Sequence, residues 1–229
     1  MSSNYVELVL KGKGNEGEII KSFYRDLPEA ITGYSCAELR TADNYLFDII
    51  YRTSVDDIVD ILGFSETDVN LITCANIPQF SCLETMDSII DIVDANPGTN
   101  YSNIGYFFNK SGNETSWSKY GENHYKLTAA LGLVDSSINR KVTHLGLNFR
   151  DLSDNVRENV RVKLFLRIPI VLMIMKYGRD NKLNVSNVLA NYLSASTVQR
   201  RLPNVKKLVY KLLEVSSHEY EYLNNIVWK

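Results

Sequence analysis

The 229-residue sequence predicts an α+β chain: a small N-terminal α/β unit, then a winged helix-turn-helix, then a helical C-terminal domain with a second helix-turn-helix-like element. Three observations lead there. Short apolar runs before residue 80 alternate as strands do, residues 81–152 read as three helices and a short strand pair, and the remainder carries helical periodicity. The boundaries fall at 1–78, 79–150 and 151–229, with Pro78 inside the first junction.

In the first segment, 5–10 is strand-like and Lys11-Gly12-Lys13-Gly14 is a turn. Residues 15–27 are helical, with Ile19, Ile20 and Phe23 on one face and Pro28 just past the end. Residues 34–40 and 45–51 read as a hairpin across Ala42-Asp43-Asn44, and Ser54 caps a helix to Leu62. The order βαββα is that of half a ferredoxin-like fold.

In the second segment, Ser81 and Glu84 have capping-box spacing, and Met86, Ile89, Ile90 and Val93 follow at helical intervals. Asn96-Pro97-Gly98 ends that helix. A second helix covers 101–108, a third 116–131 with Gly132 past its end. Residues 134–137 and 141–145 would be wing strands around Ile138-Asn139-Arg140. In the third segment Ser153 opens a helix through Arg167, Pro169 starts or kinks the next, and that one ends at Gly178. A short helix over 185–193, a turn at Ser194-Ala195, a cap at Ser196 and a long helix with Pro203 near its start complete the chain.

Composition limits the function classes. Hydrophobic residues at 45% with charged residues at 23% suit a folded, cored protein rather than a disordered one. Cys36, Cys74 and Cys82, with His124, His144 and His218, share no zinc-type spacing. The start lacks a charged-then-apolar leader pattern, and the apolar run 164–175 contains Arg167 and Pro169 and is too short for a bilayer. The expectation is a cytoplasmic protein with reduced thiols and no membrane partner. The net charge of −2 hides a gradient: −7 over residues 1–80, −1 over 81–150 and +6 over 151–229. Such asymmetry suits a polyanion at one end and a protein partner or second copy at the acidic end.

On the 116–131 helix, Lys119, Asn123 and Lys126 recur on one face beside Glu122, with Tyr120, His124 and Tyr125 packing inward or touching sugar-phosphate. Asn bonds adenine in a bidentate way and Lys reaches guanine or phosphate, so double-stranded DNA is the expected partner. Arg140 and Lys141 would sit at the wing tip, against minor groove or backbone. Near the start of the late helix, Thr197, Gln199, Arg200 and Arg201 crowd a phosphate-favouring N-terminus, followed by Lys206, Lys207 and Lys211. The plainer alternatives are a solvated polar face and a basic helix paired with the acidic first segment.

Catalytic patterns are weaker. Gly12-Lys13-Gly14 lacks the spacing of a phosphate-binding loop. A Mg²⁺-dependent nuclease needs converging carboxylates to hold the ion against the phosphate; Glu18, Glu38 and Asp48 are the nearest candidates, with Glu16, Arg40 and Asp43 nearby. Without such a centre no cofactor is expected. No Ser/His/Asp or Cys/His nucleophile pairing is visible.

The stretch Lys119-Tyr120-Gly121-Glu122-Asn123-His124-Tyr125-Lys126-Leu127-Thr128-Ala129-Ala130-Leu131-Gly132-Leu133-Val134, followed by Thr143-His144-Leu145-Gly146, resembles the recognition helix and wing of winged-helix domains in type II restriction-modification proteins. The stretch from Ser196 to Val205, Ser-Thr-Val-Gln-Arg-Arg-Leu-Pro-Asn-Val, is similar to a helix that follows in the same proteins. The resemblance covers roughly residues 80–215. It implies sequence-selective DNA binding in a prokaryotic restriction or related defence system, with base reading by Lys119, Asn123 and Lys126 and backbone contact by Arg200 and Arg201. The first 80 residues lack the nuclease signature of that family. Alternatives are a Mg²⁺-dependent endonuclease with a divergent core, a transcriptional regulator, and a protein–protein adaptor.

Overall fold

A computed structural model describes residues 4–25, 31–83 and 85–229. It corrects the expected class from α+β to all-α. The N-terminal segment holds helices α1 (Tyr5–Leu10), α2 (Glu16–Arg25), α3 (Cys36–Arg52), α4 (Val55–Leu62) and the single turn α5 (Glu66–Val69), where one strand, a hairpin and two helices were expected. The expected continuation of α2 to Leu27 and Pro28 lies outside the described residues.

The two supposed hairpin strands are one helix. In α3 the buried side chains are Ala42, Asp43, Leu46, Phe47, Ile49 and Ile50, a 3.6-residue rhythm that fragments into apparent strands only if Ala42-Asp43-Asn44 is taken as a turn. Asp43 instead sits mid-helix and fully buried: it accepts from Tyr5 Oη at 2.6 Å and Asn148 Nδ2 at 2.7 Å, and faces His144 Nδ1 at 2.9 Å. At the start of α3, Ser35 and Glu38 form a capping box. At its end, buried Lys163 donates to the carbonyls of Ile50 and Tyr51 at 2.9 and 2.7 Å, satisfying acceptors a helix terminus leaves open. The six-residue run of α1 was ambiguous by period alone; the Asn4 side chain accepts from Glu7 N at 2.9 Å and nucleates a helix.

Residues 85–150 hold α6 (Met86–Ala95), α7 (Tyr101–Phe108), α8 (Glu114–Ala130) and α9 (His144–Arg150). Of the capping box expected at Ser81 and Glu84, Glu84 lies outside the described residues, while Ser81 Oγ donates to Asn204 Oδ1 at 3.0 Å. The winged helix-turn-helix is also corrected, because its wing contracts to one antiparallel bridge, Val134 to Val142. The Asp135 side chain closes the loop by accepting from Lys141 N at 3.0 Å and Ser137 Oγ at 2.7 Å. Thr143 then accepts from Gly146 N at 3.0 Å and starts α9, so no strand continues beyond the bridge.

The last third comprises α10 (Asp154–Leu164), a 3-10 turn (Phe165–Arg167), α11 (Pro169–Gly178), α12 (Val185–Ala190), α13 (Ala195–Leu213) and α14 (Glu219–Asn225). The N-cap of α13 is Ser194, two residues before the expected cap, so Pro203 lies inside α13 rather than at its start. The sole sheet among the described residues pairs β1 (Leu183–Asn184) in parallel with β2 (Ile226–Val227). α11 is apolar nearly all round and buried, as a helix at the centre of a bundle must be. One core runs from Tyr5 to Ile226 across all three thirds. A smaller core of Ile89, Val93, Ile104, Tyr125 and Val134 lies under α6, α7 and α8. No helix among the described residues is long and apolar enough to cross a membrane.

Candidate nucleic-acid interface

The face that would meet DNA is built on α8, whose placement rests on two glycines. A Cβ on Gly105 of α7 would lie 1.9 Å from the Trp117 carbonyl oxygen, and one on Gly121 would lie 2.0 Å from that of Tyr101. Hydrogen alone fits at both, so α7 and α8 cross backbone to backbone. Asn113 caps α8, accepting from Ser116 N at 2.9 Å, and Trp117 Nε1 donates to Asn109 O at 2.6 Å across the turn.

Of the residues expected on this face, Lys119 and Lys126 are exposed and Asn123 is half-buried. Lys126 pairs with Glu122 one turn back at 2.6 Å. Tyr120 is not a free phosphate contact. It packs edge-on against Phe80 at 5.3 Å and lies 4.4 Å from the ring of His124. His124 itself is 2% exposed among Phe80, Phe108 and Tyr120, shares a 2.6 Å hydrogen bond with Thr85 Oγ1, and has its pKa pushed down to about 4 by burial. Tyr125 is buried, its hydroxyl donating to Asp135 O at 2.8 Å.

Arg140 is turned away from the expected wing tip. Its backbone is left-handed at φ 41, its guanidinium stacks over Tyr101 at 4.2 Å, and it donates to Thr99 O at 3.3 Å. Lys141 beside it is exposed.

On α13, Gln199 and Arg200 are exposed, whereas Arg201 is 6% exposed and donates to the carbonyls of Cys74 and of Ile77, the latter at 2.8 Å. Arg201 therefore anchors the 74–81 segment and cannot hold a phosphate. Thr197 Oγ1 lies 3.0 Å from Ser194 Oγ within the first turn. Lys206 lies over the rings of Tyr210 and Trp228, on a stripe away from Arg200.

The 74–81 segment, which contains the expected junction at Pro78, bridges two helices. Phe80 packs on α8, and Asn204 of α13 donates to Gln79 O at 3.1 Å. The segment therefore touches α8, the helix that carries Lys119, Asn123 and Lys126, and α13, the helix that carries Arg200 and Lys207. The one available signal was Asn204, four residues after Arg200 on the same helical stripe.

The positive charge of the last third is only partly available. Arg157 and Arg161 pair with Asp87, and Lys176 and Arg179 with Asp60, whose carboxyl is pulled down to about 2, chiefly by its hydrogen bond from Arg179. No carboxylate lies within ion-pair distance of Lys119, Lys141, Arg200, Lys206 or Lys207 among the described residues.

The carboxylates considered for a nuclease do not converge. Glu18 accepts from Asn15 N at 2.8 Å, Glu38 caps α3, and Asp48 pairs with Arg52 at 2.9 Å. Ten residues of helix separate Glu38 from Asp48, about 15 Å along the axis. Among the described residues no group of three His, Cys, Asp or Glu side chains is placed to hold a metal ion. Comparison of the chain with protein families, with curated proteins and with solved structures finds no match in any of the three.

Proposed function

We propose that the chain binds double-stranded DNA sequence-selectively, in the cytoplasm, as part of a restriction-modification or related defence system. The observation that carries this reading is the set of exposed cations with no carboxylate at ion-pair distance among the described residues, Lys119 on α8 and Arg200 and Lys207 on α13, two helices that both touch the 74–81 segment. A face of unpaired cations with an amide among them suits a phosphate backbone and an adenine edge. Similarity of 119–134 and 196–205 to segments of restriction-modification proteins supports the same reading. The acidic first third faces a protein partner or a second copy.

The test is a retardation assay with mixed duplexes at two salt concentrations. Binding should weaken as salt rises, with a log–log slope of about −0.9 for each phosphate contacted. Lys119→Ala and Arg200→Ala should each flatten that slope, while Lys21→Ala, on the exposed side of α2, should not. Retardation that is absent at low salt, or insensitive to both alanine variants, removes DNA as the partner.

A further inference from the structure

Between α2, α4, α8, the 71–80 segment and the start of α11 lies a cavity of about 670 Å³. We propose that it binds a neutral small molecule with an apolar, ring-sized body. This proposal does not rest on DNA binding.

Protein interiors pack with few voids larger than a water molecule, so a hollow of this size is not a packing defect. Its volume lies within the roughly 300–1,000 Å³ of pockets that take small ligands. The floor is apolar: Tyr24, Leu62, Ile77, Leu127, Leu166 and Leu172 line it, and all six are buried. The rim reaches solvent at Leu71, Ala75 and Ala130, so a ligand can enter from outside. Leu71 is 53% exposed there, and a bound molecule would take it out of water together with the floor.

The charged side chains among the described lining residues are each engaged within the protein. Arg25 grips both oxygens of Asp68, at 2.5 and 3.2 Å. Lys126 pairs with Glu122 at 2.6 Å. The Arg167 guanidinium lies over the Phe23 ring at 4.6 Å, and its Nη1 donates to Phe23 O at 2.5 Å. The hydroxyls of Tyr24 and Tyr125 are likewise engaged, donating to Lys163 O at 3.0 Å and Asp135 O at 2.8 Å. An ionised ligand would have to break one of these contacts to gain a partner, and would lose its hydration against the apolar floor. A neutral one does neither.

The test titrates the full chain with uncharged N-phenyl-1-naphthylamine and with 1-anilinonaphthalene-8-sulfonate, a similar ring system carrying a negative charge. The neutral dye should saturate at one equivalent and bind about tenfold more tightly than the sulfonate. Ala75→Trp and Ala130→Trp, each at an exposed rim position, should obstruct the cavity and weaken the neutral dye about tenfold, while Leu223→Ser on the exposed face of α14 should leave it unchanged. Thermal unfolding of each variant confirms that it is folded, and either tryptophan variant suffices for the comparison. Unsaturable binding, a sulfonate that binds as tightly as the neutral dye, or neutral-dye affinity moved by Leu223→Ser and not by the tryptophan variants overturns the proposal.

Discussion

Gly121 of α8 meets Tyr101 of α7 so closely that a methyl group on the glycine would sit 2.0 Å from the tyrosine carbonyl oxygen. The obstacle is backbone, which cannot rotate aside as a side chain can. Gly121→Ala should therefore destabilise the chain by about 3 kcal/mol, near the upper end for overpacking. Thermal unfolding would read this directly, and an unchanged midpoint would show that the two helices are not in this register.

Neighbouring arginines on α13 should behave as opposites. Arg201→Met strips donors from the buried Cys74 and Ile77 carbonyls and should lower stability by about 1–3 kcal/mol. Arg200→Met touches only an exposed side chain, so stability should stay within about 0.5 kcal/mol while the salt slope of the proposed DNA binding falls by about 0.9. Chemical denaturation paired with salt-dependent anisotropy separates them. Equal stability losses would contradict the burial of one and the exposure of the other.

His124 should give the chain an acid sensitivity of defined sign. Burial lowers its folded-state pKa from the usual 6.5 to about 4, so as pH falls the unfolded chain takes up the proton first. Stability is then lost progressively between about pH 6.5 and pH 4, by up to roughly 3 kcal/mol from this group. His124→Phe, which keeps a ring among Phe80, Phe108 and Tyr120, should flatten the curve over that window. The difference between the two denaturation series against pH is the measurement, and parallel curves would exclude the assignment.

Removal of the Asp43 carboxylate should be severe. Asp43→Ala leaves the Tyr5 hydroxyl and the Asn148 amide without their acceptor and unties α1 and α9 from α3. The expected loss is about 3–5 kcal/mol, as for a buried charge network broken on one side. A urea midpoint equivalent to less than about 1 kcal/mol would mean the network contributes little net stability.

These residues also show why the fold was only partly legible. Ile89, Ile90 and Val93 announced α6, and Leu127 and Leu131 announced α8, because their apolar stripes are long enough to display the 3.6-residue period. α3 was missed because its buried face includes a carboxylate. Asp43 reads as a turn residue unless its partners, 38 to 105 positions away, are known. Arg140 and Arg201 were misassigned for a related reason. An arginine bonding main-chain carbonyls in a loop looks, in sequence, like one awaiting a phosphate. The 74–81 segment gave no periodic signal, and its role follows only from tertiary contacts.

α8 belongs to both hydrophobic clusters at once, with Tyr125 set in the smaller and Leu127 and Leu131 in the larger. A keel fixed in two hulls cannot be lifted from either alone. The inner amides of this helix should thus trade hydrogen for deuterium only when the entire molecule opens, later than those of α14, whose Tyr220 and Leu223 stand in solvent.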